Sequence, residues 1–196
     1  GAIPHMPYRV SVSYTNENGI LKTSNMERLT GAISLNPNFF DKKLNIQLNV
    51  KGIYNTNRFA DTDAIGMATQ YDPTQPIYMD GNPYGNGYFM YMKSGNNPTP
   101  VDIGLANPVS ILDSKHDEST VYRSIGNAQI DYKFHFLPEL RANLNLGYDV
   151  SKSEGDVIIE DNAPMTWCQG NYKTGFGENS SYYQLKRNTS VSYTHL

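Results

Sequence analysis

Hydrophobic and polar positions alternate along much of this chain with a period of two. In residues 44–54 the even positions read Leu44, Ile46, Leu48, Val50, Gly52 and Tyr54, against Asn45, Gln47, Asn49, Lys51 and Ile53. In 121–136 the even set runs from Tyr122 through Ala128, Ile130 and Tyr132 to Phe134 and Phe136, with Arg123, Asn127, Gln129, Asp131, Lys133 and His135 between. Residues 140–150 set Leu140, Ala142, Leu144, Leu146, Tyr148 and Val150 against Arg141, Asn143, Asn145, Gly147 and Asp149. Across the three, 17 of 20 even positions are apolar or Tyr, against 3 of 18 odd ones. Each segment is therefore expected to be a strand with one apolar and one polar face. Weaker copies fall at 8–15 (Tyr8, Val10, Val12, Tyr14), 28–36 (Leu29, Gly31, Ile33, Leu35) and 182–193 (Tyr183, Leu185, Val191, Tyr193). The pattern predicts six strands and the stub of a seventh before Pro4.

Alternation alone does not say whether the apolar face meets a core or lipid. Three features favour lipid. Connections are expected to alternate: short at 4–7, 37–43 and 137–139, long at 16–27, 55–120 and 151–181. Outer-membrane barrels place short turns on one side and long loops on the other. Aromatic residues gather at strand ends, with Tyr14, Tyr54, Tyr122 and Tyr148 toward the long loops and Phe39, Phe40, Phe134 and Phe136 toward the short turns. Two such girdles suit the two interfaces of a bilayer. Segments 44–54 and 140–150 also match the ~9–11 residues that a tilted strand needs to cross, and 121–136 is long enough to rise above the membrane. The competing architecture is a secreted, soluble β-sandwich serving as a carbohydrate-binding module.

Composition narrows the classes. The 196 residues include 21 Asn, 15 Tyr, 16 Gly and 11 Pro, which disfavour helix and favour strands and turns. A net charge of −3 leaves no basic stripe for nucleic acid. The mean hydropathy of −0.55 looks soluble, and the longest apolar run, 88–92, is far too short for a membrane helix. Barrel strands average to such mild values. The single Cys168 has no internal disulfide partner and excludes a cysteine-based zinc cluster. The first five residues show no leader pattern. Either the protein is cytosolic or the chain begins inside a longer one, and the strand-like alternation of 190–194 at the far end favours the second.

Specific runs carry a family resemblance. Tyr8-Arg9-Val10-Ser11-Val12-Ser13-Tyr14-Thr15-Asn16-Glu17-Asn18-Gly19 with Leu21-Lys22-Thr23-Ser24, Asn57-Arg58-Phe59-Ala60-Asp61, and Tyr71-Asp72-Pro73-Thr74-Gln75-Pro76 are similar to stretches of SusC/RagA-type outer-membrane proteins. So is the path from Tyr122-Arg123-Ser124-Ile125-Gly126-Asn127 through Asp131-Tyr132-Lys133-Phe134 to Leu144-Asn145-Leu146-Gly147-Tyr148-Asp149. The resemblance covers roughly residues 1–160. It implies an all-β fold: a partial antiparallel transmembrane β-barrel, about six strands of a 22-stranded TonB-dependent barrel, with long extracellular loops. It also implies the outer membrane of Bacteroidetes-type bacteria, a SusD-like surface lipoprotein as partner, and import of oligosaccharides or peptides. TonB would act through a plug domain, which this sequence lacks. Residues 1–196 are thus expected to be a barrel section cut at both ends, with 55–120 its long extracellular loop.

The loop 55–120 holds the candidate chemistry. Asp61 or Thr62 is expected to cap a short helix over 64–70. The alternative, a calcium loop on Asp61, Asp63 and Asp72, lacks a ligand at Ile65 and has Asp in place of the usual Glu. Residues 78–91 are punctuated by Gly, Asn and Pro and rich in Tyr. They read either as a loop hairpin packed on itself or as a wet surface where Tyr rings stack on substrate and Asn amides bond it. The candidate substrate- or partner-contacting residues are Tyr78, Tyr84, Asn86, Tyr88 and Tyr91. No catalytic residue, metal site or cofactor is expected. His5, His116, His135 and His195 are scattered, Cys168 has no assigned base, and no carboxylate pair stands out for a glycosidase.

Overall fold

The computed structural model describes residues 1–3, 6–101, 104–137, 139–168 and 175–195. The expected stub before Pro4 is seen as a two-residue strand, but Pro4, His5 and Pro138 of the expected short turns lie outside the described residues. In chain order the elements are β1 (Ala2–Ile3), β2 (Met6–Asn18), β3 (Asn25–Leu35), β4 (Asn38–Phe39), β5 (Leu44–Phe59), α1 (Asp63–Gln70), α2 (Pro108–Ser114), β6 (Lys115–Lys133), β7 (Arg141–Ile159), α3 (Pro164–Cys168) and β8 (Glu178–His195). The strands form one sheet in the order β1-β2-β3-β5-β6-β7-β8, with β4 beside β5, and every pairing is antiparallel.

Register carries the alternation across the whole sheet. Val10 pairs with Ile33, Ile33 with Val50, Val50 with Gly126, Gly126 with Tyr148, and Tyr148 with Thr189. The next row runs Tyr8, Leu35, Leu48, Ala128, Leu146, Val191. A slip of one residue in any strand would throw its apolar set onto the polar face. No described layer covers the apolar face. Val12 is 73% exposed, Val191 67% and Tyr193 73%.

The other face is a polar ladder. Ser34 Oγ lies 2.7 Å from Asn49 Oδ1, and Asn127 Nδ2 donates to Asn145 Oδ1 at 2.5 Å. Arg123 holds Asp149 through two bonds of 2.9 and 2.6 Å. Cross-strand pairs of this kind tie neighbouring strands together without needing an apolar side.

The strands are longer than the alternation suggests, and this corrects several expected boundaries. β6 and β7 have 19 residues each, β8 has 18 and β5 has 16. At ~3.3 Å per residue and a tilt of ~40°, 19 residues rise about 48 Å, well beyond the ~25 Å apolar band of an outer-membrane barrel. The excess lies at the end away from the short turns. There the ladders continue on Asn and Ser, as where Asn25 Nδ2 donates to Asn16 and Asn18 at 3.0 Å and Asn57 Nδ2 to Ser119 Oγ at 3.0 Å. Apolar alternation ends with the lipid band, but backbone pairing does not. The expected long loop 16–27 is consequently a six-residue connection, 19–24, no longer than the turn 36–43. The loop 55–120 contracts to 60–114, and 151–181 to 160–177. At the opposite end β6 stops at Lys133, so Phe134 and Phe136 belong to a turn rather than a strand. They still build the expected lower girdle: Tyr132, Phe134 and Phe136 stack in sequence at 5.1 and 5.4 Å, and Phe40 meets His135 edge-on at 5.7 Å.

Candidate functional site

The molecule's buried core lies not in the sheet but in the two long connections. Among the described residues the buried hydrophobic ones are Ala64, Met90, Ala106, Ile111, Ile159, Ala163 and Met165. All come from 60–114, 160–177 or the last residue of β7. These connections fold together as one cap. Gly85 N–H donates to Asn162 O at 3.0 Å, Asn86 Nδ2 to Asp161 O at 2.8 Å, and Asn162 Nδ2 to Pro83 O at 3.0 Å.

Helix starts in the cap follow local chemistry. Asn107 is 1% exposed, and its Oδ1 accepts from Val109 and Ser110 N–H at 3.0 and 3.4 Å to start α2, with Pro108 as the first helical residue. Its Nδ2 donates to Ile77 O at 2.8 Å, tying the helix to the Tyr-rich hairpin. For α1 the position before the helix is Thr62, which makes no side-chain cap. Asp61 serves instead, accepting from Asp63 N–H at 2.9 Å. Asp61 also receives Lys115 Nζ at 2.9 Å. Asp72 is occupied in its own turn, accepting from Thr74 N–H and Oγ1 at 2.9 and 2.8 Å. Those bonds hold its carboxyl below the usual carboxylate range. The carboxylates weighed for calcium thus serve two separate local structures.

The five candidate contact residues share one hairpin but differ in what they touch. Its backbone is tied by Phe89 N–H to Ile77 O at 3.0 Å and Met79 N–H to Gly87 O at 2.8 Å. Tyr78 is 59% exposed beside Ile77 at 47%, and its ring lies 5.3 Å from Tyr88. Tyr88 is half-buried. Its hydroxyl donates to Asp113 Oδ2 at 3.0 Å, and Asp113 also takes Lys22 Nζ at 2.7 Å. Burial first, and the Asp113 carboxylate second, push the Tyr88 hydroxyl up to about 12. Tyr84 packs edge-on against Trp167 at 5.2 Å. Asn86 sits at φ 50°, in the left-handed region, and spends its amide on Asp161. Tyr91 meets Phe89 at 5.3 Å and Tyr71 at 5.8 Å. Burial raises the Tyr71 hydroxyl to about 12 as well. Gly85 allows the hairpin to close: at φ 81° an added Cβ would meet Met90 Sδ at 2.6 Å.

Tyr84, Tyr88, Tyr91 and Asn86 therefore hold the cap together, while Tyr78 with Ile77 presents an open apolar surface. Sequence reasoning did not single out Asn107, Asp113 or Asn162, on which the cap's polar bonds converge. The Asn-Pro pair at 107–108 was the one readable signal, since it marks a helix start. Nothing local marks Asp113, whose partners lie 91 and 25 residues away.

No protein-family model matches the chain. It is 37% identical to the TonB-dependent receptor SusC of Bacteroides thetaiotaomicron over 98% of its own length and 20% of the receptor's. It is 28% identical to the TonB-dependent receptor P26 of Formosa agariphila over 78% of its length and 14% of that protein's. The chain thus spans about a fifth or less of the curated relatives it matches. TonB-dependent receptors reside in the outer membrane, which accounts for a single sheet with an uncovered apolar face. With its six long antiparallel strands matched from end to end, this chain is homologous to a barrel section of the SusC-type TonB-dependent receptors.

Proposed function

We propose that residues 1–196 form an early barrel section of a longer outer-membrane importer, driven by TonB through a plug domain outside this chain. It takes up oligosaccharides or peptides together with a SusD-like surface lipoprotein, and it carries nutrient without chemical conversion. The observation that supports this reading best is the register. One mainly apolar face and one Asn-rich face run across six strands, as a wall between lipid and a wet lumen requires. A sandwich would need a second sheet over the apolar face, and none is present among the described residues.

Within that role the cap is the nutrient- or lipoprotein-facing surface. Tyr78 and Ile77 make the contact, and Tyr84, Asn86, Tyr88 and Tyr91 hold them in place. The test is titration of the complete receptor, with and without Tyr78→Ala, against a panel of oligosaccharides and short peptides. Loss of one stacking ring should weaken binding up to about tenfold, from the ~0.5–1.5 kcal/mol that such contacts contribute beyond area. Unchanged affinity for every member that binds, with unchanged recovery of the lipoprotein on purification, removes the cap from the site.

A further inference from the structure

The apolar face carries a groove with a cationic end, and the register shows how it lies in the membrane. On β2 the outward residues stay apolar up to Tyr14, and on β3 up to Leu29, which pairs with Tyr14. On β8 the outward set runs Val191, Thr189, Arg187, Leu185 and Tyr183, so Thr189 and Arg187 interrupt an apolar run that resumes beyond them. Thr189 shares the row of Val10, and Arg187 the row of Val12. Tyr14, Leu29, Tyr54, Tyr122, Lys152 and Leu185 share one row, so Lys152 stands level with the aromatic girdle and Arg187 one row below it. Lys152 is therefore at the outer interface, and the long Arg187 side chain one row below reaches the same level.

Between them and β3 runs a groove of about 480 Å³ whose lining includes Gly31, Gly52, Ser124, Val150 and Lys152. Its floor is the row Gly31, Gly52, Ser124. A Cβ at Gly31 or Gly52 would meet nothing within 4 Å, so the floor is open. Tyr54 and Tyr122, 5.1 Å apart, form the upper wall. At its β7 end Val150, a lining residue, pairs with Arg187. Lys152 lies 2.7 Å from Glu154 and 5.6 Å from the Tyr183 ring, whereas Arg187 has no ion-pair partner among the described residues. From Arg187 to Gly31 is four strand steps, about 19 Å, along the row just inside the girdle. That matches one extended acyl chain entering from the interface.

We propose that this groove is a site for a phosphate-bearing outer-leaflet glycolipid, with an acyl chain along Ser124, Gly52 and Gly31 and the phosphate held by Arg187 and Lys152. The occupant follows from charge complementarity: a net positive end at the headgroup level of an otherwise apolar channel suits an anionic lipid. The proposal rests on the barrel reading above but not on the nutrient site, so uptake and lipid retention can fail separately.

The probe is monophosphoryl lipid A, with its dephosphorylated form as control, titrated into the complete receptor in detergent and read by native mass spectrometry. The phosphorylated form should be retained at least tenfold more than the control. Arg187→Gln with Lys152→Gln should abolish that preference. Gly52→Leu, which fits the backbone and fills the floor, should reduce retention with both cations in place. Arg28→Gln, on the polar face and outside the groove, should change nothing, and heat-resistant migration on gels should show that each variant is folded. Equal retention of the two lipids by the native receptor, or undiminished preference in the double variant, overturns the site. Undiminished retention in Gly52→Leu overturns the groove as the seat of the chain.

Discussion

The sheet and the cap come from one chain yet are held together by opposite means. In the sheet, Val10, Val12, Ile33, Val50 and Val191 are all exposed by roughly half or more, and cohesion comes from backbone ladders and cross-strand pairs. In the cap, Met90 at 2% and Ile111, Ala106 and Ala163 at 0% form an ordinary water-excluded core, closed by buried polar groups such as Asn107 and Thr166. The cap folds by removing apolar surface from water, in the way of a small soluble domain. The sheet leaves its apolar surface outward because its solvent on that side is hydrocarbon, where the requirement is that every backbone group be paired. Burial is therefore a poor guide to importance in the sheet and a good one in the cap.

The sharpest way to break that comparison is a charge on the lipid face. Leu144→Arg should destabilise the complete receptor by about 2–4 kcal/mol near mid-bilayer, while Asn143→Arg, one residue away on the polar face, should be nearly neutral. Reversible unfolding in lipid would read both. A reversed order would mean that the faces have been exchanged.

In the cap the expected sensitivity follows burial. Ile111→Ala should cost the cap about 2–4 kcal/mol through the lost side chain and the cavity it leaves. Hydrogen exchange or limited proteolysis should show 60–114 and 160–177 loosening together while the strands keep their protection. If one connection loosened without the other, the cap would not be a single unit. Asn107→Ala should cost less, about 1–2 kcal/mol, because it removes a helix cap and leaves Ile77 O without its donor.

The smallest effect concerns pH. Tyr88 is raised to about 12 from 10.0, so its contribution is fully present below about pH 10 and is lost as pH rises toward 12. Tyr88→Phe should flatten that decline and leave the sheet unaffected. An unchanged profile would remove the Tyr88–Asp113 bond from the account.

Legibility in the sequence followed the same division. The sheet's strands and faces could be read directly, because a surface with one apolar side writes a period of two into Leu44 through Tyr54 and Leu140 through Val150. Their upper ends could not, since Asn16, Asn25, Asn57 and Ser119 pair strands without alternation. Sequence also placed the Tyr-rich hairpin correctly in a loop, but it could not separate Tyr78 from Tyr84, Tyr88 and Tyr91. That distinction depends on Trp167, Asp113 and Tyr71, partners 83, 25 and 20 residues away, and no local pattern encodes a contact at that range. α2 was missed although Asn107-Pro108 announces it, because seven residues are too few to show a helical period.

The central claim, that the even-numbered face of β5 meets lipid and the odd face meets water, has one direct measurement. Single nitroxide labels would be placed in turn at Ile46, Gln47, Leu48, Asn49, Val50 and Lys51, in the complete receptor with Cys168→Ser, reconstituted into bilayers. Collision with dissolved oxygen reports lipid, and collision with a water-soluble nickel chelate reports the lumen. The account predicts a period of two, with oxygen highest at 46, 48 and 50 and nickel highest at 47, 49 and 51. Opposite phase, or equal access to nickel at all six, would contradict it.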